Sequence, residues 1–404
     1  MAGLRPIVAG WLAIAALAPA IPMASAEPGG VKIGVLTDES GPYATVGGAG
    51  AIAAVQLAID EFGGRVLGKP IVLVSADHKN DPDFASQIAR DWFDNEHVDM
   101  ITDLTSTPVA LAVQEIARDR GRIDIVSGAA TTRLTGDACS PTGFHWVYDT
   151  YAMGRGIGEA VADQGNRTWF FITTEAAFGP QLEKNASGFI RAAGSKILGS
   201  AHHEPGAGDF SSVLLAAQAS GAQVIMLADA GRDAVELTRQ AAEFGIGRGG
   251  QRIAGLLMTL SDVHELGLDL TQGMVFVTAS YWDQDNRSRE WSKKFYAATG
   301  RMPNMVQAGD YSAALHYLKA VQAAGTTDGA AVARKMRELP VDDAFITKGV
   351  VRADGLMQHA MYLAMVKAPI DSKEPWDDLE ILETIPADKA FPPLGETTCP
   401  LVRK

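Results

Sequence analysis

The sequence predicts an α/β protein of two units, each with a parallel sheet. Short apolar strands alternate with helices of about ten or more residues from Val31 onward, and the alternation begins afresh after Tyr151. The turns that follow the strands are rich in small and hydroxyl residues. At 404 residues and 47% apolar content, the chain is long enough to bury two cores.

The first strand, Val31 to Leu36, leads through a polar turn carrying Ser40, Gly41, Pro42 and Tyr43 into a Gly/Ala-rich helix ending near Glu61. A strand feeding a helix N-terminus offers unpaired N–H groups and the positive end of a dipole to an anion or carbonyl. The strand Ile71 to Asp81 and the helix Pro82 to Asn95 follow, the latter with Ile88, Ala89, Trp92 and Phe93 on one face. The strand Met100 to Asp103, the turn 104–108, the helix Val109 to Arg120, the strand Ile123 to Ser127 and the turn Gly128 to Thr135 complete the first unit, which extends to about Asp149.

The second unit repeats the pattern. Its strands are expected at Thr168 to Thr173, Lys196 to Ser200, Gln223 to Leu227, Ile253 to Leu257 and Gly273 to Thr278. Helices are expected at Tyr151 to Asp163, Pro180 to Ala193, Phe210 to Ser220 and Asp233 to Phe244. The segment His202 to Asp209 reads as a Gly- and His-rich loop. Helices at Ser288 to Thr299, Ala308 to Ala324 and Gly329 to Glu338 come next. A hairpin of Ala344 to Arg352 with Gln358 to Val366 follows, and a Pro-rich acidic tail from Ala368 is expected to wrap the surface.

Residues 1–26 carry Arg5, an apolar run from Ile7 to Ile21 and an Ala24-Ser25-Ala26 end, the pattern of a secretory signal peptide cleaved before Glu27. The run is short and broken by Pro19 and Pro22, which disfavours a transmembrane anchor. The exported remainder has 34 basic against 48 acidic residues, net −14, a balance that argues against nucleic-acid binding. Cys139 and Cys399 both lie in it. In an oxidising compartment one disulfide tying the tail to a central loop is the economical reading, and a free pair is the alternative.

In open parallel sheets ligands bind where strands end and loops lead into helices. Here those loops, 40–43, 105–107, 127–132, 174–178 and 228–232, combine hydroxyls, small residues and single aromatics. Small residues admit a ligand to backbone N–H groups, hydroxyls complete its hydrogen bonds, and aromatics cover its apolar part. Helix capping explains any one of these loops but less easily the whole set.

The stretches SGPYATVGGAGAIAAVQLAIDE, DLTSTPVA, VSGAATT and TTEAAFG, in that order, resemble the leucine/isoleucine/valine-binding family, type I periplasmic solute-binding proteins of ABC transporters. The resemblance covers nearly the whole exported chain. It implies two Rossmann-like lobes joined by three crossovers and closing on a solute that is passed to membrane permease subunits, the binding protein acting as a monomer outside the cytoplasm. Crossovers near 148–151, 278–281 and 347–355 give an N-terminal lobe of 27–149 plus 280–346, a C-terminal lobe of 150–279 plus 347–385, and a tail of 386–404. The family's carboxylate-holding turns match Ser106 and Ala129, Ala130 and Thr131. Its second-lobe aromatic turn matches Phe178, and Tyr43 is expected to face the cleft.

One feature departs from the family. Amino-acid binders hold the ammonium with an acid in the loop after the strand ending here at Leu257, where this sequence reads Leu256-Leu257-Met258-Thr259. The loop Ala228-Asp229-Ala230-Gly231-Arg232 also lacks the aromatic expected there. A buried ammonium without a carboxylate partner costs several kcal/mol, so an ordinary α-amino acid is disfavoured unless Asp229 or Asp149 substitutes. Met258, Phe178 and Tyr281-Trp282 point instead to an apolar or aromatic carboxylate, and they resemble the family's branch that binds lignin-derived aromatic acids. Trp282 and Tyr311 are equally well explained by core packing. The candidate site is therefore Tyr43, Ser106, Ala129, Ala130, Thr131, Phe178, Asp229, Arg232 and Met258.

An enzyme is not expected. Gly48-Ala49-Gly50 stands too far after its strand for a dinucleotide fingerprint, His202-His203-Glu204 reads as a solvated pair rather than a metal site, and no nucleophile elbow, HExxH or P-loop is present. No metal or cofactor is expected. An exported hydrolase and a sensor domain are the rival classes.

Overall fold

The computed structural model of the protein describes residues 29–402 apart from 164, 166, 248 and 249; the expected signal peptide lies outside them. In chain order the first lobe's strands are β1 (Val31–Thr37), β2 (Arg65–Val66), β3 (Lys69–Asp77), β4 (Met100–Asp103), β5 (Ile123–Val126) and β6 (Gly143–His145). Its helices are α1 (Gly48–Phe62), α2 (Pro82–Asp94) and α3 (Thr107–Asp119). The sheet runs β2-β3-β1-β4-β5-β6 and is parallel except where β2 pairs β3.

Alternation along β1 decides which helices cover which face. Ile33 and Val35 belong to the core shared with α1, whereas Leu36 belongs to the core shared with α2 and α3. Gly34 is small because Trp92 of α2 lies over it: a Cβ there would sit 2.5 Å from the indole. Strands buried on both faces read as continuous apolar runs, as β1 does.

The second lobe holds α4 (Thr150–Asp163), β7 (Thr168–Thr174), α5 (Gly179–Ala192), β8 (Lys196–His203), α6 (Ser211–Ala219), β9 (Val224–Ala230), α7 (Gly231–Glu243), β10 (Arg252–Leu257), α8 (Leu260–Leu266), α9 (Leu268–Thr271) and β11 (Val275–Thr278). The chain then returns to the first lobe. There α10 (Asn286–Thr299), α11 (Met305–Ala324) and α12 (Gly329–Glu338) follow, with α11 packed along α1. Gly50 serves that packing, since a Cβ would meet the Gln307 amide at 2.2 Å.

The short hairpin β12 (Val350–Val351) and β13 (Met357–Gln358) also sits with the first lobe, because Leu356 bridges His145 of β6 and His145 N–H donates to Gly355 O at 3.0 Å. The chain passes to the second lobe only after Gln358. There β14 (Met361–Val366) and β15 (Leu379–Ile385) extend the sheet antiparallel, giving the order β15-β14-β11-β10-β9-β7-β8. The third passage therefore falls later than 347–355. Residues 379–385 of the acidic tail form an edge strand rather than a surface wrap, because their backbone pairs with β14.

Three short passages connect the lobes: Tyr148 to Thr150, Thr278 to Trp282, and His359 to Met361. His359 ties two of them, with Nε2 2.8 Å from Val147 O. Trp282 and Tyr281 anchor the second passage through hydrogen bonds to Trp376 O at 2.8 and 3.2 Å. Cys139 and Cys399 are disulfide-bonded, with Cα atoms 5.6 Å apart, and fasten the C-terminal segment to the first lobe. No described helix is long and apolar enough to cross a membrane.

Candidate functional site

The carboxyl ends of β1, β4 and β5 face those of β7, β9 and β10 across a cleft, and the lobes touch over it. Arg232 at the start of α7 donates its N–H to Pro42 O at 3.0 Å and its Nη2 to Gly41 O at 3.1 Å. Asn304 joins the lobes below, donating to Ser261 Oγ at 3.2 Å and to the carbonyls of Thr45 and Val46. Behind these contacts lies a cavity of about 680 Å³, lined by Tyr43, Ser106, Thr107 and Pro108 from the first lobe and by Thr174, Phe178, Asp229, Ala230, Arg232 and Asp233 from the second. A narrow inner extension of about 20 Å³ reaches Thr105, Gly128, Ala130, Tyr148, Leu257 and Thr259.

The loop bearing Tyr43 is preset. Asp38 accepts the N–H groups of Gly41 and Tyr43 at 2.8 and 2.9 Å, and a Cβ on Gly41 would collide with the same carboxylate. Burial first, and then the negative charges of Asp229, Asp233 and Asp38, raise the Tyr43 phenol above its ordinary pKa, so it stays protonated and can donate.

The N-termini of α1 and α3 differ. At α1, Gly48 N–H is taken by Thr37 Oγ1 at 2.7 Å, so that turn is partly satisfied internally. At α3 the N-cap Ser106 is buried and provides no side-chain cap, and Thr107 Oγ1 is buried with no hydrogen-bond partner among the described residues. Both residues line the cavity. The first helical N–H groups lack intrahelical acceptors and carry the positive end of the dipole, so this corner suits a carboxylate.

Beneath the floor, Asp103 and Asp310 are fully buried. Burial, followed by the charge of each other or of Asp38, raises both carboxyls above the ordinary range. Both shifts lessen the negative charge held beneath the cavity at neutral pH and so weaken its opposition to an anion above.

Of the expected residues, Tyr43, Ser106, Phe178, Asp229 and Arg232 line the main cavity, and Ala130 lines the extension. Ala129 instead packs into the core with α3, its carbonyl 2.7 Å from His145 Nε2. Thr131 caps a 3₁₀ turn by accepting Arg133 N–H at 3.3 Å. Met258 lines neither cavity; it folds back over Gly255, where a Cβ would lie 2.2 Å from Met258 Cγ. Tyr281, Trp282 and Tyr311 are core residues, as their hydrogen bonds to Trp376 O and Glu61 show.

Of the two candidate substitutes for the missing acid, Asp149 stands outside both cavities and Asp229 has both oxygens engaged. Asp149 is 1% exposed, accepts Ala152 N–H at 2.7 Å at the start of α4, and lines neither cavity. Asp229 is 2% exposed; Oδ1 accepts Ala230 N–H at 2.8 Å, and Oδ2 is 2.8 Å from His203 Nε2. Sequence reasoning took His203 for a solvated residue. It lies at the end of β8 with its side chain 5% exposed, while His202, on the other face of the strand, meets Glu175 at 2.9 Å. Strand alternation separates the two histidines. Burial works against a charged His203, but the hydrogen bond and charge of Asp229 outweigh it and raise the imidazole above its ordinary pKa.

Residues 30–373 match the family model described as periplasmic binding protein. The chain is similar to a periplasmic binding protein of Burkholderia mallei, 45% identical over 93% of this chain and 99% of that one, with a TM-score of 0.89. It is 39% identical to a branched-chain amino acid ABC transporter periplasmic ligand-binding protein of Burkholderia xenovorans (92% and 99% coverage, TM-score 0.84). It is 25% identical to a Leu/Ile/Val-binding protein homolog of Brucella melitensis, over 83% of this chain and 91% of that one. The match across most of the chain and the two facing α/β lobes agree: the chain belongs to the periplasmic binding protein family, the solute-binding, non-enzymatic components of ABC transporters.

Proposed function

We propose that the protein captures a small apolar carboxylate, an aromatic acid being the first candidate, and delivers it to an ABC permease. The observation that carries this reading is the open N-terminus of α3, with Ser106 giving no side-chain cap and Thr107 Oγ1 buried without a partner among the described residues at the cavity wall. The anionic head sits there. Phe178, Tyr43 and Leu257 supply apolar cover, and no uncommitted acid stands in the loop after β10, where Thr259 is spent on Asp262 in a capping box.

Binding of a branched-chain or other amino acid is the second reading. It is favoured by the similarity to the branched-chain amino acid ABC transporter periplasmic ligand-binding protein of Burkholderia xenovorans and by Asp233, whose Oδ2 accepts Gly206 N–H at 2.6 Å on the cavity wall.

A thermal-shift screen of the exported chain separates them. Apolar carboxylates such as benzoate, 3-phenylpropanoate and 4-methylpentanoate raise the melting temperature and leucine does not. Saturation at about 100 times Kd adds about 2.7 kcal/mol. A shift with leucine and none with the acids selects the second reading.

A further inference from the structure

We propose that His203 is the positioning residue that disfavours amino acids in the cleft: by neutralising Asp229, it denies a solute ammonium the most deeply buried of the carboxylates described on the second-lobe wall. The proposal rests on the reading of the solute as an acid without an ammonium group.

The geometry fixes the number of protons in the pair. His203 Nδ1 is 3.0 Å from Glu204 O, and Nε2 is 2.8 Å from Asp229 Oδ2. A backbone carbonyl can only accept, so Nδ1 carries a hydrogen. The 2.8 Å contact needs a second proton between Nε2 and Oδ2. Whichever atom holds that proton, the pair carries no net charge. Asp229 Oδ1 meanwhile accepts Ala230 N–H, and the ring of Phe210 packs edge-on against the imidazole with centroids 4.8 Å apart. The pair is enclosed on these sides, while Asp229 itself lines the cavity.

An acidic side chain on a cleft wall ordinarily attracts a cation and repels an anion. Here the imidazole behind the wall cancels that charge. An apolar acid then meets a neutral surface, and an ammonium meets a carboxylate whose charge is already balanced. Burial raises the Asp229 carboxyl above its ordinary range; removing the imidazole leaves that carboxyl without its counter-charge, and whatever negative charge it holds then faces the cavity unbalanced.

The other groups around His203 are Asp233 on α7, the neighbouring Glu204, and Tyr43 across the cleft. Asp233 is held by Gly206 N–H in both cases, and Tyr43 stays a neutral phenol. The change of charge is therefore assigned to the His203–Asp229 pair.

The sign of the pH effect follows. The imidazole proton is held below the raised His203 pKa and lost as pH rises through it. Deprotonation frees the Asp229 charge, so acids bind more weakly and amino acids relatively better at high pH.

The test uses two matched pairs, 3-phenylpropanoate with phenylalanine and 4-methylpentanoate with leucine, each differing by the ammonium. The exported protein, H203Q, and the double variant H203Q/D229N are titrated calorimetrically, with melting curves to show that each folds. Wild type favours the acid of each pair. H203Q shifts that ratio toward the amino acid by about tenfold or more, the scale of 1.4 kcal/mol, and H203Q/D229N restores it. Between about pH 6 and about pH 8, above the ordinary imidazole value of about 6.5 at the upper end and with the α-ammonium of the probes still held, the wild-type ratio drifts toward the amino acid and the H203Q ratio does not. A wild-type acid preference that H203Q leaves unchanged overturns the inference alone. A wild-type preference for the amino acids, or binding of neither member of either pair, overturns the reading beneath it and the inference with it.

Discussion

Gly231→Ala lowers solute affinity by about a hundredfold, about 2.7 kcal/mol, while the protein still folds. Gly231 opens α7 with φ +63°, and a Cβ there would lie 2.5 Å from Pro42 O and 3.0 Å from Tyr43 Cδ1. Both neighbours belong to the opposite lobe, so the collision exists only when the lobes meet. The left-handed backbone adds about 1–2 kcal/mol of strain for alanine, but open and closed forms share that cost and it does not enter the affinity. Closure by hinge motion depends on the solute favouring the closed form, and an added methyl shifts the balance the other way. Titration calorimetry measures the loss, and solution scattering shows a protein that stays extended with solute present. Wild-type affinity in G231A would mean that the 41–43 and 230–232 loops need not meet for binding.

Breaking the disulfide has the largest expected effect on stability. Cys139→Ser or Cys399→Ser lowers the melting temperature by roughly 5–15 °C, corresponding to about 2–5 kcal/mol. The bond spans a sequence separation of 260, so in the chain-entropy account it removes much freedom from the unfolded state. Other contacts hold the C-terminal segment as well: Phe391 is fully buried beside His359, Arg352 Nη1 donates to Pro392 O at 2.5 Å, and Thr397 Oγ1 donates to Thr135 O at 3.1 Å. Those contacts keep the native arrangement in the variants, so solute affinity at low temperature is retained. Adding a reductant to wild type reproduces the shift and does nothing to either variant. An unchanged melting temperature would assign the anchoring to Phe391 and its neighbours.

Much of this arrangement is legible in the residues. Apolar runs such as Val31 to Leu36 and the helices between them specify the parallel sheets, because a strand covered on both faces has no polar side to show. The turns at 40–43, 105–107 and 174–178 announce the cleft, because small and hydroxyl residues collect where backbone must approach a ligand. Residues whose role depends on a distant partner are harder to read. His203 gains its meaning from Asp229, 26 positions away, and the alternation of β8 that buries it looks like a polar loop because Gly199, Ser200 and His202 dilute the strand. Met258 turns from the cleft because Gly255 leaves room for it, which a one-dimensional pattern does not display. The edge strand at Leu379 to Ile385 carries acids at two of its exposed positions, Glu380 and Glu383. Charge there blunts an open sheet edge and makes the segment resemble a solvated tail.

The central claim is that the cleft receives an anionic head at the start of α3 and an apolar body beneath Tyr43 and Phe178. Calorimetric titration with 3-phenylpropanoate and with its primary amide tests it most directly, because the two share shape and differ in charge. The acid is expected to bind about a hundredfold more tightly or better, in line with a charge-assisted contact to a desolvated helix terminus. Equal affinity of acid and amide, or tighter binding of the amide, would contradict the claim.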